Sequence, residues 1–155
     1  VDRLSRIPGL RIQVAGRSLV RSLQGTSHME AVRLDTNAAS LHDTLRELRP
    51  DVLVNASGPF QGADYRVAAG CIAAGVHYAD LADGREYVVG IKCLHESALA
   101  AGVTVTTGAS SVPALSAAAA DHLVKDLSVV HSIDIGISSD YNVVITQVFH
   151  IIFNV

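Results

Sequence analysis

The chain has 155 residues, 49% of them hydrophobic and 17% charged, which suits one compact domain with a core of its own and excludes a disordered or fibrous polymer. With 12 Lys and Arg against 15 Asp and Glu the net charge is −3, and aromatic residues make up only 5%, so a nucleic acid is not an expected partner. No stretch approaches the roughly 20 apolar residues that span a bilayer, and the isolated Cys71 and Cys93 form neither a CxxC site nor a disulfide framework, which fits a reducing, cytoplasmic setting.

The opening Val-Asp-Arg-Leu-Ser-Arg has no apolar signal region, and no Met begins the chain, so the expectation is a start inside a longer sequence. Short β-branched runs then alternate with Ala- and Leu-rich stretches of helical length, the pattern of an α/β fold with an open, doubly wound parallel sheet. Strands are predicted over Arg11 to Ala15, Ala31 to Asp35, Asp51 to Ala56, His77 to Leu81, Val103 to Thr107 and His131 to Ile137. Between them, Ser40 begins a helix carrying Leu41, Leu45 and Leu48 on one face, with Asp43 completing an imperfect capping box and Pro50 as its stop. Further helices are predicted from Ala63 to Ala74, from Glu86 to Ala101, and from near Pro113 to about Asp126, the first two closed by Gly75 and Gly102.

From Tyr141 to Val155 the chain is β-branched and free of Gly and Pro, too apolar for a free tail. It either begins a second domain or pairs with another sheet edge. The division expected is a dinucleotide-binding domain over 1–130 and the start or remnant of a substrate and dimerisation domain over 131–155.

Open parallel sheets bind ligands at the carboxyl ends of their strands, so the corners there are the candidate sites. After the first predicted strand come Gly16, Arg17 and Ser18, where a dinucleotide-binding half meets the adenosine ribose. An acidic residue there favours NAD, whereas Arg with Ser suits the 2′-phosphate of NADP; a plain surface turn is the bland alternative. The third strand runs into Ala56, Ser57, Gly58, Pro59 and Phe60, a corner where the backbone can approach a flat ligand or simply turn. Asp35 can accept from an adenine amino group or act as a turn former. Asp80, in HYADLAD, is the catalytic candidate, with a capped structural carboxylate as the alternative. His28, His42, His95, His122, His131 and His150 lack ligand spacing, so no metal is expected. GASSVPALS fails the GxSxG pattern of a hydrolase, and none of Tyr65, Tyr78, Tyr87 and Tyr141 has the Lys four residues on that a short-chain dehydrogenase needs.

VAGRS at 14–18, the LD pair at 34–35, DVLVNASGPF at 51–60, CIAAGVHYADLADG at 71–84 and ALAAGVTVTTGASSVPALSAAAADHL at 98–123 together resemble the cofactor domain of the saccharopine dehydrogenase family. The resemblance implies a Rossmann-type domain followed by a mixed α/β domain that dimerises and builds the substrate site. It implies NADP as cofactor, with NAD the alternative, Arg17 and Ser18 near the adenosine phosphate, and Ser57 to Phe60 along the cofactor crevice. Two departures stand out. No strand with a Gly-rich phosphate turn precedes Val1 to Gly9, and about fifteen unfamiliar apolar residues follow IDIGISSDYN, so a domain truncated at both ends is expected. The function expected is an NAD(P)-dependent oxidoreductase acting on a small metabolite, as a homodimer. The alternative is a truncated, non-catalytic domain that only dimerises or binds a partner.

Overall fold

The computed structural model describes residues 4–18, 29–135 and 150–154. His28 and most of the apolar segment that starts at Tyr141 lie outside the described residues. A 3-10 turn, Leu4–Arg6, leads into β1 (Arg11–Gly16). In chain order there follow β2 (Met29–Arg33), α1 (Leu41–Leu48), β3 (Val52–Asn55), α2 (Arg66–Ala74), β4 (His77–Asp80), α3 (Arg85–Gly90), α4 (His95–Ala101), β5 (Val105–Thr106), α5 (Ser116–Val124) and β6 (His150–Asn154). Among the described residues no helix is long and apolar enough to cross a membrane.

The strands form one six-stranded sheet in the order β2-β1-β6-β3-β4-β5. β1 pairs parallel with β2, and β3, β4 and β5 pair parallel in sequence. The fold is therefore the expected α/β architecture with parallel crossovers. The doubly wound order numbers its strands 3-2-1-4-5-6 across the sheet. β2 and β1 take the third and second places, and β3 to β5 take the fourth to sixth. The first place belongs to β6, which runs antiparallel to both neighbours: Ile152 is level with Gln13 on one side and Leu53 on the other. Residues 150–154, expected to begin a second domain or to pair with another sheet edge, pair with the edges of both β1 and β3 and are an interior member of this sheet. Their apolar sequence suits that place, because an interior strand satisfies its backbone groups on both sides without water.

Local chemistry sets the element ends. Gly75 closes α2 in the left-handed conformation, its amide bonding back to the carbonyls of Cys71 and Ile72. Ser40 precedes α1 as expected, yet its hydroxyl makes no capping bond; the helix is fixed by Leu41 and Leu45, both buried. The predicted helix over Glu86 to Ala101 is broken in two by a 3-10 segment, Ile91–Leu94. The predicted strand His131 to Ile137 is not formed over 131–135, where Ile133 and Ile135 are each 54% exposed and pair with no neighbouring strand among the described residues.

Burial follows strand position. Residues 12–16 of β1 are buried in unbroken succession, as in a strand covered on both faces, whereas β3 and β4 alternate between buried and half-buried. The core joins Leu41 and Leu45 of α1, Leu53 of β3, Val67, Ala68 and Cys71 of α2, and Tyr78 of β4. Burial pushes the Cys71 thiol up to about 12, so it stays protonated and acts as a small core residue.

Because Ile152 lies between two ladder partners, Ile152→Pro removes a donor from the middle of the sheet and is expected to lower the free energy of unfolding by roughly 3 kcal/mol. The same change at the exposed Ser132, outside any helix or strand, should stay within about 0.5 kcal/mol. Urea titrations followed by circular dichroism check both, and an unaltered Ile152→Pro midpoint would remove β6 from the sheet.

Candidate functional site

Parallel alignment of β1 with β3 brings their carboxyl ends to the same rim, and a crevice of about 780 Å³ opens there. Gly16, Arg17 and Ser18 line one side, and Ser57, Gly58, Pro59 and Phe60 another. Seven of the residues singled out from sequence are thus brought together around one cavity, of a size that takes a small molecule or nucleotide. Ala56 does not line it, and neither do Asp35 and Asp80.

The Ser57 corner is shaped by a side chain that sequence reasoning passed over. Asn55, the last residue of β3, is 4% exposed. Its Oδ1 accepts from the Ser57 backbone N–H at 3.0 Å and from the Ser57 hydroxyl, while its Nδ2 donates to the Tyr78 hydroxyl at 3.1 Å. The Tyr78 hydroxyl is in turn 3.3 Å from that of Tyr87, whose ring lines the crevice beside Phe60 at a centroid distance of 5.3 Å. Burial pushes both phenols above the ordinary tyrosine range, and for Tyr78 the bond with Tyr87 adds to it. At neutral pH these hydroxyls are therefore protonated groups that position Asn55 and the crevice wall. The only sequence signal for Asn55 is a single polar residue closing an apolar strand.

Asp35 is exposed and bends its own loop, its Oδ1 accepting from the Asn37 N–H at 3.0 Å. Asn37 and Thr36, rather than Asp35, reach the crevice. On the opposite side Asp64 and Arg66 frame the start of α2. Arg66 Nε lies 2.9 and 2.8 Å from the two Asp64 oxygens, and Arg66 Nη1 donates to Asn37 Oδ1 at 3.3 Å. That pairing holds the exposed Asp64 carboxyl below its usual range, through hydrogen bonds to Arg66 first.

Asp80, the catalytic candidate from sequence, is fully buried. Its Oδ1 accepts from the Ala82 N–H at 3.0 Å, the Thr107 hydroxyl at 2.8 Å and the Gly108 N–H at 2.9 Å, and its backbone carbonyl accepts from Ala109. Gly108 can present its N–H because its φ is +73°, and an added Cβ would come within 2.9 Å of Pro113. Asp80 thus ties the end of β4 to the turn after β5, and it reaches no crevice surface from there. Asp80 Oδ2 is buried without a hydrogen-bond partner among the described residues.

Chemically, the crevice offers the Arg17 and Arg66 guanidinium groups, the Ser18 and Ser57 corners and the flat Phe60 and Tyr87 rings. That set suits an anionic ligand with planar groups, and NADP fits it. No cluster of metal-ligating side chains occurs among the described residues. A family model described as the saccharopine dehydrogenase NADP-binding domain matches residues 2–106, a span that holds every crevice-lining residue named above. No curated protein matches the chain.

Asp80→Ala leaves three donors without their acceptor and is expected to cost roughly 3 kcal/mol of stability, with Asp80→Asn losing less because one oxygen remains. Chemical denaturation of both variants measures this, and equal stability of Asp80→Ala and the parent chain would remove the clamp.

Proposed function

Since the chain belongs to the saccharopine dehydrogenase NADP-binding family, we propose that its crevice holds NADP with the adenosine 2′-phosphate at Arg17 and Ser18 and the nicotinamide half toward Ser57, Gly58, Pro59 and Phe60. The family is one of NAD(P)-dependent oxidoreductases, and the matched domain is the NADP-binding one. The finer reading is hydride transfer between the nicotinamide and a C–N or related bond of a small metabolite. Convergence of the Arg17 and Ser57 corners on one crevice carries the proposal. Arg17 supplies a fork of donors that fits a phosphate, and the cofactor when bound supplies the hydride chemistry. Asn55 fixes the Ser57 corner, and Asp80 acts as a positioning residue for the turn after β5. The free thiols of Cys71 and Cys93 suit a reducing, cytoplasmic compartment.

A homodimer is the partner reading, and one observation favours it. Leu115, Leu123, Leu127, Val129 and Val130 are 66%, 75%, 60%, 64% and 42% exposed, a run of exposed large apolar side chains within 115–130 of the kind that second copies cover. The same run supports the alternative of a domain that only associates.

Calorimetric titration tests cofactor binding. NADPH should bind more tightly than NADH, and Arg17→Ala should remove that preference by about tenfold or more while leaving NADH affinity unchanged. Absence of binding by either dinucleotide would overturn the cofactor reading. For the dimer, light scattering should report a mass near twice 16.3 kDa for the parent chain and near 16.3 kDa for Leu123→Glu; a parent chain monomeric at all concentrations overturns it.

A further inference from the structure

We propose that Arg66 is the plate on which the purine ring of the adenosine half stacks, with Asp64 and Asn37 as the residues that hold the plate flat. The inference rests on the cofactor reading above and adds to it a subsite for the base. Arg66 begins α2 and lines the main crevice on the side of the loop that follows β2. Its guanidinium is engaged along its edge: Nε and Nη2 donate to the Asp64 carboxylate, and Nη1 reaches across to Asn37 Oδ1 at 3.3 Å. Asn37 is itself fixed, its N–H donating to Asp35 Oδ1 at 3.0 Å. With three nitrogens bound in one plane and the side chain 54% exposed, what Arg66 presents to a ligand is its face.

Charge points the same way. Asp64 neutralises Arg66 at contact distance, which weakens it as a phosphate ligand but leaves a planar, weakly hydrated surface for a π system. Arg17, for which no comparable carboxylate contact is found among the described residues, is the better phosphate ligand. Space is also available. Past Arg66 the crevice continues into a recess of about 520 Å³ lined by Thr36, Ala38, Leu41, His42, Ala69 and Ala73. A recess of that volume has room for a planar base beside the guanidinium. A solvated ion pair that merely caps α2 would need neither the reach to Asn37 nor the recess.

The test is calorimetric titration of the full chain with three probes: NADPH, adenosine 2′,5′-bisphosphate and reduced nicotinamide mononucleotide. Arg66→Ala should weaken NADPH and the bisphosphate by about tenfold alike and leave the mononucleotide unchanged. Arg66→Lys should fail to restore the lost affinity, because an ammonium is not a plate. Asp64→Ala, which frees the guanidinium without removing it, should weaken the two adenosine ligands about threefold and spare the mononucleotide. Recovery by Lys, or a shallower salt dependence in Arg66→Ala, would make Arg66 a phosphate contact and overturn stacking. Unchanged affinities for all three probes, with a lowered melting temperature, would reduce the cluster to a helix cap and overturn it as well. If the parent chain binds none of the probes, the cofactor reading itself fails; if it binds and Arg66 has no effect, only the stacking inference does.

Discussion

Two parallel blocks, β2-β1 and β3-β4-β5, are held in one sheet by the backbone bonds of a single short strand, β6. Neighbouring strands lie about 4.8 Å apart, so one intervening strand sets β1 and β3 roughly 10 Å apart. That spacing fixes the distance between the Gly16 to Ser18 corner and the Ser57 to Phe60 corner, and hence the floor width of the crevice. Without a member in that place the corners have no common frame, because β1 and β3 share no ladder of their own.

Within that frame, buried polar groups serve as fasteners, among them Asp80, which the sequence offers as a catalytic candidate. Asn55, Tyr78 and Tyr87 form a buried run of hydrogen bonds that holds one crevice wall, and Asp80 fastens the turn at Thr107 and Gly108. Asn55 and Asp80 close β3 and β4 at their carboxyl ends, where a catalytic residue is sought first. Burial separates the two roles. A group that accepts three donors and exposes no surface holds shape, whereas Arg17 and Arg66 stand exposed on the crevice.

What was legible in the sequence was local. Gly-Arg-Ser after one apolar run and Ser-Gly-Pro-Phe after another are corner signals because the chain must turn at the end of a buried strand whatever it packs against. The strand order was not legible in the same way. Nothing in HIIFN distinguishes an edge strand from an interior one, since the information resides in the vacant ladder edges of β1 and β3, well over a hundred and about a hundred residues away respectively. Asp64 and Arg66 were overlooked for a related reason. Two residues apart at a helix start they look like a surface pair, and only the fold brings Asn37 within reach. Conversely, Val-Val-His-Ser-Ile-Asp-Ile over 129–135 has strand chemistry and no strand, because propensity there meets no partner edge.

The direction of β6 bears on how the crevice can hold an elongated anionic ligand. In the doubly wound arrangement the strand in the first place ends at the crevice and turns into a helix, whose N-terminal amides meet the diphosphate. β6 runs the other way, so its first residue, His150, stands level with Ala15 and Asn55 at the crevice end, and Asn154 lies at the far end beside Arg11. The first place therefore presents the start of a strand to the crevice instead of a strand end and helix start. On either side of that place the crevice offers charge at Arg17, hydrogen-bonding groups around Ser57, and flat surface at Arg66, Phe60 and Tyr87. Under the proposed NADP reading, the flanking corners meet the two ends of the dinucleotide, the 2′-phosphate at Arg17 and the base at Arg66.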